Sequence, residues 1–317
     1  MEYRRLGASG LRVSAVSLGT WLTAGHTIDV AATTKLVRTA LDLGINLLDT
    51  ADVYAKGAAE EALGQAIAGV PRHTLVVATK CFFPMSDDPN DKGLSRKHVV
   101  ESLHKSLRRL RLDYVDLFQC HRPDPETPLE ETCRAMDDLV RQGKTLYWGV
   151  SQWPADSITR AVQLCCDNGQ APPISNQPCY NLLDRGIEAA VLPASREAGV
   201  GQIVFSPLAQ GVLTGKYKKG ARPKGSRASD ERANRFIGRY LDDATAVARV
   251  ERFVELAAAT GRAPHELALA FCLRRPEVAS VIVGATSPEQ LRANAAAAAV
   301  KLDDATITAL DAIFPAP

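Results

Sequence analysis

The fold is indicated first by a stretch in which an amphipathic helix leads into a short apolar strand, residues 33–54, TTKLVRTALDLGINLLDTADVY. The segment Thr33–Leu43 places its apolar side chains on one helical face, and Gly44 is suited to end that helix. In the run Asn46–Asp49 the apolar Leu47 and Leu48 are adjacent and do not alternate with polar residues, which is typical of a parallel strand buried on both faces. The stretch therefore predicts one helix–strand unit of an α/β protein, with polar Asp49 at the carboxyl end of its strand.

The same unit recurs along the chain. Seven further runs are predicted as strands: Ala15–Leu18, Leu75–Thr79, Val115–Gln119, Leu146–Val150, Ile174–Gln177, Ile203–Phe205 and Val278–Val283. Helical patterns lie between them, including Ser95–Leu110, Leu129–Val140 and Ile187–Ala198. Eight strands alternating with helices predict a (β/α)8 TIM barrel. A doubly wound sheet is the alternative, but it usually carries a GxGxxG turn after its first strand, where this chain has Leu18-Gly19-Thr20-Trp21.

Three further segments complete the prediction. Tyr3–Val13, with a turn at Gly7–Gly10, predicts a β-hairpin that caps the floor of the barrel. Leu208–Asp243 is long, basic and glycine-rich, and as the loop after strand seven it would lie on the face where barrels carry active sites. Asp303–Ile313 predicts a final helix. Residues 1–317 are expected to form a single barrel domain.

Composition excludes several classes of function. The 317 residues include 38 Lys+Arg and 36 Asp+Glu, a net charge of +2, so nothing predicts a nucleic-acid partner. The seven cysteines form no CxxC pair, which argues against a disulfide framework and a metal site. The N-terminus lacks the apolar core of a signal peptide, and no apolar run approaches the roughly 18 residues of a membrane span. A cytoplasmic protein that is not inserted in a membrane is expected.

Four polar residues near predicted strand ends are the candidates for chemistry: Asp49, Tyr54, Lys80 and His121. Each alone has an ordinary interpretation, as a loop cap, a packed aromatic ring or a solvated strand end. On adjacent barrel strands, however, they would lie within reach of one another. A tyrosine can donate a proton to a carbonyl, and we expect Lys80 to lower the pKa of Tyr54 while Asp49 orients Lys80. His121 would donate a hydrogen bond to the substrate oxygen, and hydrolysis is disfavoured because no nucleophile–base pair accompanies the set.

A second signal follows the last predicted strand. That strand runs into Gly284, and Ser287, Pro288 and Gln290 read as the start of a helix with a capping box. A helix N-terminus approached through glycine can bind an anion, although an ordinary capped helix explains the pattern too. Lys216 and Arg227 in the preceding basic loop favour a phosphate-bearing cofactor.

These residues resemble the motifs of the aldo-keto reductases, through Gly44–Tyr54, Thr79-Lys80 and His121. Within that superfamily the chain is most similar to the voltage-gated potassium channel β-subunit group, through the strings Gly93–His98, Arg122–Pro125, Tyr147–Gly149, Ser206–Ala209, Gly215–Tyr217 and Ser226–Ser229. The resemblance implies an eight-stranded barrel that holds NADPH (or NADP) across its mouth, without a Rossmann fold.

The resemblance also implies roles for individual residues. Tyr54 would be the proton donor, tuned by Asp49 and Lys80, while His121 orients the carbonyl. Cofactor contacts are implied for Gly19, Thr20 and Trp21 near the nicotinamide and substrate, Ser151, Gln152 and Gln177 at the nicotinamide, Ser206, Pro207, Leu208, Gln210 and Lys216 along the pyrophosphate, Arg227, Gly284, Thr286 and Gln290 around the adenosine 2′-phosphate, and Asn294 at the adenine.

The chain departs from the channel-subunit pattern at four positions. His121 stands where those subunits typically have Asn, which favours turnover. Gln152 replaces a usual Arg, Phe205 a usual Trp, and Ala293 a common acidic residue near the adenine. The sequence starts at the hairpin, so a pore-blocking N-terminal segment is not expected. An apolar substrate pocket could be walled by Trp21, His26, Phe82, Phe83 and Trp153, of which all but Trp21 could equally be packing residues.

The expected function is an NADPH-dependent oxidoreductase that reduces aldehydes or ketones to alcohols, with hydride from nicotinamide C4 and a proton from Tyr54. The alternative is a regulatory protein that senses NADPH with slow or vestigial turnover. A barrel that has lost catalysis is disfavoured because the four candidate residues are all present. The expected partners are a small carbonyl substrate, further copies of the chain in a homotetramer and, less favoured, an ion channel.

Overall fold

Eight parallel strands follow an N-terminal hairpin in the computed structural model, which describes residues 1–230, 234 and 236–316. The hairpin consists of β1 (Tyr3–Arg5) and β2 (Arg12–Ser14), paired antiparallel. The parallel strands are β3 (Val16–Gly19), β4 (Leu47–Asp49), β5 (Val76–Cys81), β6 (Val115–Cys120), β7 (Thr145–Val150), β8 (Ser175–Asn176), β9 (Gly201–Val204) and β10 (Val278–Val283). They pair in chain order, and β10 closes the barrel against β3. The predicted barrel and its strands are confirmed, and the doubly wound sheet is excluded.

Helices lie between and after these strands. They are α1 (Val30–Asp42), α2 (Ala58–Ala66), α3 (Arg96–Leu110), α4 (Leu129–Arg141), α5 (Ala155–Asp167), α6 (Val191–Glu197), α7 (Gly238–Leu241), α8 (Ala244–Ala259), α9 (Pro264–Leu273), α10 (Pro288–Ala296) and α11 (Asp304–Ile313). Helix α3 begins as predicted, because Ser95 Oγ accepts a hydrogen bond from the backbone N–H of His98. No helix in the part of the chain that the structure describes is long and apolar enough to cross a membrane.

One predicted helix is wrong in its extent. The pattern Ile187–Ala198 predicts a continuous helix, but the chain forms a short 3-10 turn, Gly186–Glu188, and then the separate helix α6. Pro193 explains the break, since proline has no N–H to donate to the carbonyl four residues earlier. As the third residue of α6, it lies where a helical N–H has no intrahelical acceptor anyway.

The barrel has an inner and an outer apolar layer. Every residue of β5, β6 and β10 is buried, as expected for strands covered on both faces. Side chains that point inward, including Leu47, Leu117 and Ile203, form a small cluster, while the helices pack outside on a larger one. The carboxyl ends of the strands are left free to carry polar side chains.

The hairpin closes the opposite, amino-terminal end of the barrel. Leu6 and Val13 are fully buried and belong to the same inner cluster as the barrel side chains. Gly7 has a φ of 59°, and a Cβ at this position would lie only 2.2 Å from the carbonyl oxygen of Gly199. Glycine is therefore required where the hairpin turn contacts the barrel. The predicted floor is confirmed.

The loop after β9 is irregular over most of its length, as predicted. It contains the short 3-10 turns Ala209–Thr214, Lys218–Gly220 and Arg227–Ser229 before α7 begins, while residues 231–233 and 235 lie outside the described residues. Its far end is anchored by Asp184, which accepts a hydrogen bond from the Tyr240 hydroxyl and forms an ion pair with Arg239 at 2.7 Å.

Candidate active site

The four predicted candidates converge at the carboxyl ends of β4, β5 and β6. Lys80 is fully buried, and its ammonium donates hydrogen bonds to Asp49 Oδ2 at 2.7 Å and to the Tyr54 hydroxyl oxygen at 3.3 Å. The rings of Tyr54 and His121 meet edge to face, with centroids 5.7 Å apart. The geometry thus joins a carboxylate, an ammonium and a phenol in one series of contacts beside an imidazole.

Local backbone structure brings these side chains together. Asp49 ends β4, Lys80 is the next-to-last residue of β5, and His121 follows β6 directly. Tyr54 opens a 3-10 turn in which Ala55 and Lys56 have φ values of 48° and 52°. Left-handed conformations in residues other than glycine are costly and are concentrated at functional sites, so this turn supports a specialised role for the tyrosine before it.

Hydrogen bonds to surrounding groups fix the orientation of Asp49, Lys80 and Tyr54. The Lys80 ammonium also donates a hydrogen bond to the backbone oxygen of Thr50 at 2.7 Å, so all three of its hydrogens have acceptors. Gln177 Nε2 donates to Asp49 Oδ1 at 2.8 Å, which leaves both oxygens of that carboxylate bonded. Because the Tyr54 oxygen accepts from Lys80, its own proton is available to another acceptor.

Burial dominates the electrostatics of the site. Burial, reinforced by the negative charge of Asp49, raises the pKa of Tyr54 well above its ordinary value. Burial also lowers the pKa of Lys80, although Asp49 opposes the change. The expected net lowering of the Tyr54 pKa is therefore wrong, because burial and Asp49 outweigh the nearby cations. The cation that does lower it is that of Arg122, whose effect is smaller than the effects of burial and Asp49.

His121 is held neutral. Burial, and then the positive charges of Lys80 and Arg122, lower its pKa well below the ordinary value. A neutral imidazole keeps one N–H to donate, and within the described residues His121 Nδ1 has no hydrogen-bond partner. This side chain can therefore bond to an oxygen placed between it and Tyr54.

Aromatic side chains form the wall above these polar groups. Trp21 contacts Tyr54, Phe205 and Phe236, with ring centroids 6.4, 6.2 and 5.2 Å apart. Phe83 packs edge-on against His121 at 4.9 Å. Of the predicted wall, Trp21 and Phe83 therefore border the site, and Phe205 and Phe236 join them.

The other predicted wall residues lie elsewhere. Trp153 is 4% exposed and belongs to the outer core, and Phe82 packs against that core. His26 is partly buried, and no ring contact joins it to the aromatic wall in the described part of the chain. The packing interpretation therefore applies to Trp153 and Phe82, whereas His26 belongs to no apolar cluster of the described residues.

The residues expected at the nicotinamide surround the same opening. Gly19 ends β3, where a Cβ would approach Ile282 Cγ2 to 2.5 Å, and the side chain of buried Thr20 donates to Thr50 Oγ1 at 2.9 Å. Ser151 Oγ donates to the backbone oxygen of Gln177 at 2.9 Å. The neighbouring Gln152 is exposed and has a φ of 59°, and its backbone N–H donates to the backbone oxygen of Gln177.

A second cluster of polar side chains lies in the loop after β9. Ser206 and Gln210 have φ values of 52° and 59°, and Gln210 Nε2 donates to Ser206 Oγ at 2.5 Å. Arg227 Nη1 donates to Gln210 Oε1 at 2.6 Å, and its guanidinium lies close to Gly284. Of the other loop candidates, Pro207 is buried, Leu208 is partly buried, and Lys216 is exposed with its ammonium over the Tyr217 ring.

Helix α10 extends this cluster of polar side chains beyond Gly284. Ser287 Oγ accepts from the backbone N–H of Gln290, as the predicted cap requires. The predicted capping box is wrong in its second half, because Gln290 Oε1 accepts from the N–H and hydroxyl of Thr286 instead of from Ser287. Gln290 thus bonds the backbone N–H of Thr286, one residue before the N–H that a capping box would use. Asn294, one turn further on, is buried.

Sequence reasoning missed several residues of the site. Phe236 carries no motif, and its contact with Trp21 depends on the path of the long loop. Arg122 stands beside His121 in a motif that the sequence analysis quoted without assigning it a role. A buried layer behind the site, in which Asp52 accepts from Ser102 and Glu60 accepts from Arg109, was also missed. Asp52, which lies inside the 44–54 motif, was its only signal in the sequence.

Comparisons with known proteins show what this chain is similar to. A family model described as the aldo/keto reductase family matches residues 15–314. A protein of Oryza sativa subsp. japonica named as a probable voltage-gated potassium channel subunit beta is 46% identical over 297 residues, 93% of this chain and 90% of that protein. A protein of the same name from Arabidopsis thaliana is 44% identical over the same shares. A similarly named protein of Schizosaccharomyces pombe is 42% identical over 301 residues, 93% of this chain and 87% of its own length.

Proposed function

The chain belongs to the aldo/keto reductase family, and from that premise we propose that it uses NADPH to reduce aldehydes or ketones to alcohols. The observation that carries the proposal is the contact of Lys80 with both Asp49 and Tyr54, beside His121, at the mouth of the barrel. This arrangement provides a proton donor and an oxygen-binding group without a nucleophile, which supports carbonyl reduction over hydrolysis.

Arg227 supports a phosphate-bearing cofactor. Burial lowers the pKa of this side chain, and its described hydrogen bond goes to the neutral amide of Gln210. In the described part of the chain it has no carboxylate partner, so an anion would compensate its lost hydration. NADPH carries such an anion in its 2′-phosphate, and when bound it would supply a hydride from nicotinamide C4 to the carbonyl carbon.

We assign the remaining cofactor contacts to the residues around this arginine and around the barrel mouth. Gly284, Thr286, Gln290 and Asn294 would hold the adenosine end, and Ser206, Pro207, Leu208, Gln210 and Lys216 the pyrophosphate. Gly19, Thr20, Trp21, Ser151, Gln152 and Gln177 would border the nicotinamide. Gln177 has a second function in this proposal, since it also holds Asp49.

The proton for the carbonyl oxygen comes from Tyr54 in this proposal. Its raised pKa keeps the phenol protonated at neutral pH, and the hydrogen bond from Lys80 leaves the phenol proton directed elsewhere. Neutral His121 would donate its N–H to the same oxygen and so orient the carbonyl. As the alkoxide develops, Tyr54 gives up its proton, and the Lys80 ammonium stabilises the phenolate that remains.

An NADPH-oxidation screen over aldehydes, ketones and quinones, run with the Tyr54→Phe variant, tests this function. Because positioned acid catalysis contributes roughly 10²–10⁴-fold, the variant should lose that much turnover while NADPH affinity, followed by fluorescence, stays the same. Tyr114→Phe is the matched control, since Tyr114 contacts Arg72 away from the site. Parental turnover in Tyr54→Phe would contradict the assignment of the proton donor.

A regulatory role is the second candidate. Relatives at 42–46% identity are named as channel subunits, and their names support a proposal in which this chain, too, binds an ion channel. Tight NADPH binding without reduction of any carbonyl in a broad panel would favour this candidate. The homotetramer and the cytoplasmic location expected from the sequence stay predictions.

A further inference from the structure

Arg122 is a second cation at the barrel mouth for which the described residues provide no counterion. Like Arg227 it is partly buried, burial lowers its pKa, and it has no carboxylate partner among the residues that the structure describes. The proposed cofactor provides a phosphate for Arg227 and nothing for Arg122. A partly buried cation left without an anion costs free energy, so its presence calls for a ligand or a role.

The position of Arg122 points to the substrate. Its Nη1 donates to the backbone oxygen of His121 at 2.5 Å, and its guanidinium carbon lies 5.3 Å from the centroid of the Phe83 ring. Phe83 in turn packs against the His121 ring. The positive charge of Arg122 lowers the pKa values of both Tyr54 and His121, as expected of a cation close to the reacting carbonyl.

The guanidinium keeps most of its hydrogen-bonding capacity. It has five N–H donors, and the described bond to His121 uses one of them. Contact with the Phe83 ring restricts the plane of the group. A restrained guanidinium edge is suited to a carboxylate, which it can bind through two parallel hydrogen bonds.

We propose that Arg122 binds the carboxylate of an anionic substrate, so that the protein prefers aldehydes and ketones carrying a carboxylate group over their neutral analogues. The proposal rests on the carbonyl-reductase function proposed above. Trp21, Phe83 and Phe236 would enclose the apolar part of the substrate, while Tyr54 and His121 hold its carbonyl oxygen.

The test compares two aldehydes that differ in one charge, 4-carboxybenzaldehyde and its methyl ester, methyl 4-formylbenzoate. Since hydrogen bonds to charged groups are worth about 1.5–3 kcal/mol, the parent should show a kcat/KM for the acid about 10- to 100-fold above that for the ester. The preference should arise mainly in KM and should shrink between low and high salt.

Arg122→Met should lower kcat/KM for the acid at least tenfold more than for the ester, and Arg122→Lys should restore part of the preference. Arg134→Met, an exposed arginine on α4, is the matched control and should keep the parental ratio. Equal use of acid and ester by the parent overturns the proposal even if Arg122→Met does not fold. An equal loss on both substrates in Arg122→Met also overturns it, because Arg122 would then act through Tyr54 or His121. If the parent reduces no carbonyl in the panel, the reductase function itself fails.

Discussion

Arg227 is the single residue on which the proposed cofactor preference most depends. Its side chain reaches from the long loop toward Gly284 and is held by Gln210. An arginine–phosphate contact is charge-assisted, so Arg227→Ala should weaken NADPH binding about tenfold or more and leave NADH affinity nearly unchanged. Titration of both cofactors by fluorescence measures the two affinities.

Lys218→Ala provides the control for Arg227→Ala, because Lys218 is an exposed cation on the same loop without an assigned contact. It should leave the preference for NADPH over NADH intact. Equal affinities of the parent for both cofactors would contradict the assignment of Arg227 to the 2′-phosphate.

Tyr54 illustrates what can be predicted for a site residue from sequence. The spacing of Asp49, Tyr54, Lys80 and His121 relative to the strands is sufficient to bring them together, since adjacent parallel strands end at one edge. The pKa of Tyr54, however, depends on its burial and on the charges around it, including that of Arg122, to which the motif assigned no role. The direction of the Tyr54 shift therefore could not be predicted from the motif.

At the scale of elements, the anchoring of α7 determines how firmly the long loop is held. Tyr240 and Arg239 both bind Asp184, which lies in the loop after β8. Removing the hydroxyl in Tyr240→Phe deletes a hydrogen bond to a carboxylate, while the Arg239 ion pair remains. We expect hydrogen exchange in residues 208–230 to become about tenfold faster and NADPH to dissociate faster.

Tyr3→Phe is a suitable comparison for Tyr240→Phe. It removes one tyrosine hydrogen bond, to the backbone oxygen of Gly44, at the hairpin end of the barrel. It should leave exchange in the long loop unchanged. If the two variants accelerate loop exchange equally, the α7 anchor does not control the loop.

Elements differ in how well the sequence predicts them. Strand β10 is apolar except for Ser280, and its bounds follow from that pattern. The bounds of helix α6 cannot be predicted in this way. The helical periodicity continues through Pro193, which interrupts the backbone hydrogen bonds. The side chain of Gln290 accepts from Thr286 and not from Ser287, the residue that a capping box predicts, because Thr286 offers both an N–H and a hydroxyl. Such choices depend on local geometry, which the residue pattern does not contain.

At the scale of the whole molecule, buried Asp52 links stability to pH. Ser102 donates to its Oδ2 at 2.8 Å, but in the described structure its Oδ1 has no partner. Burial raises the pKa of Asp52 to about 7, against about 3.9 for an unfolded chain. Between these two pH values the native state binds more protons than the unfolded state. The free energy of unfolding therefore falls as pH rises through this window, by an amount of the order of 4 kcal/mol.

Asp52→Asn should abolish this pH dependence, because the amide stays neutral. The variant should be more stable than the parent at pH 8 and should lose that advantage at pH 5. Unfolding in guanidinium chloride across this range measures the difference, with exposed Asp87→Asn as the control. Parallel pH profiles for parent and Asp52→Asn would show that Asp52 is already ionised at pH 5. The single-domain organisation, which stays a prediction, would give one cooperative transition in these experiments.

The closure of the barrel has a consequence for how the protein is made. Val16 of β3 pairs with Val281 of β10, and Arg4 in the hairpin donates to the backbone oxygens of Leu273 and Val278. The hairpin and β3 thus meet these partners only after most of the barrel has been synthesised. At about 5–20 residues per second, the intervening 265 or so residues take roughly 13–50 seconds to synthesise. For that time the apolar side chains of Leu6 and Val13 have no barrel to pack into, so we expect chaperones to bind the nascent hairpin at these residues.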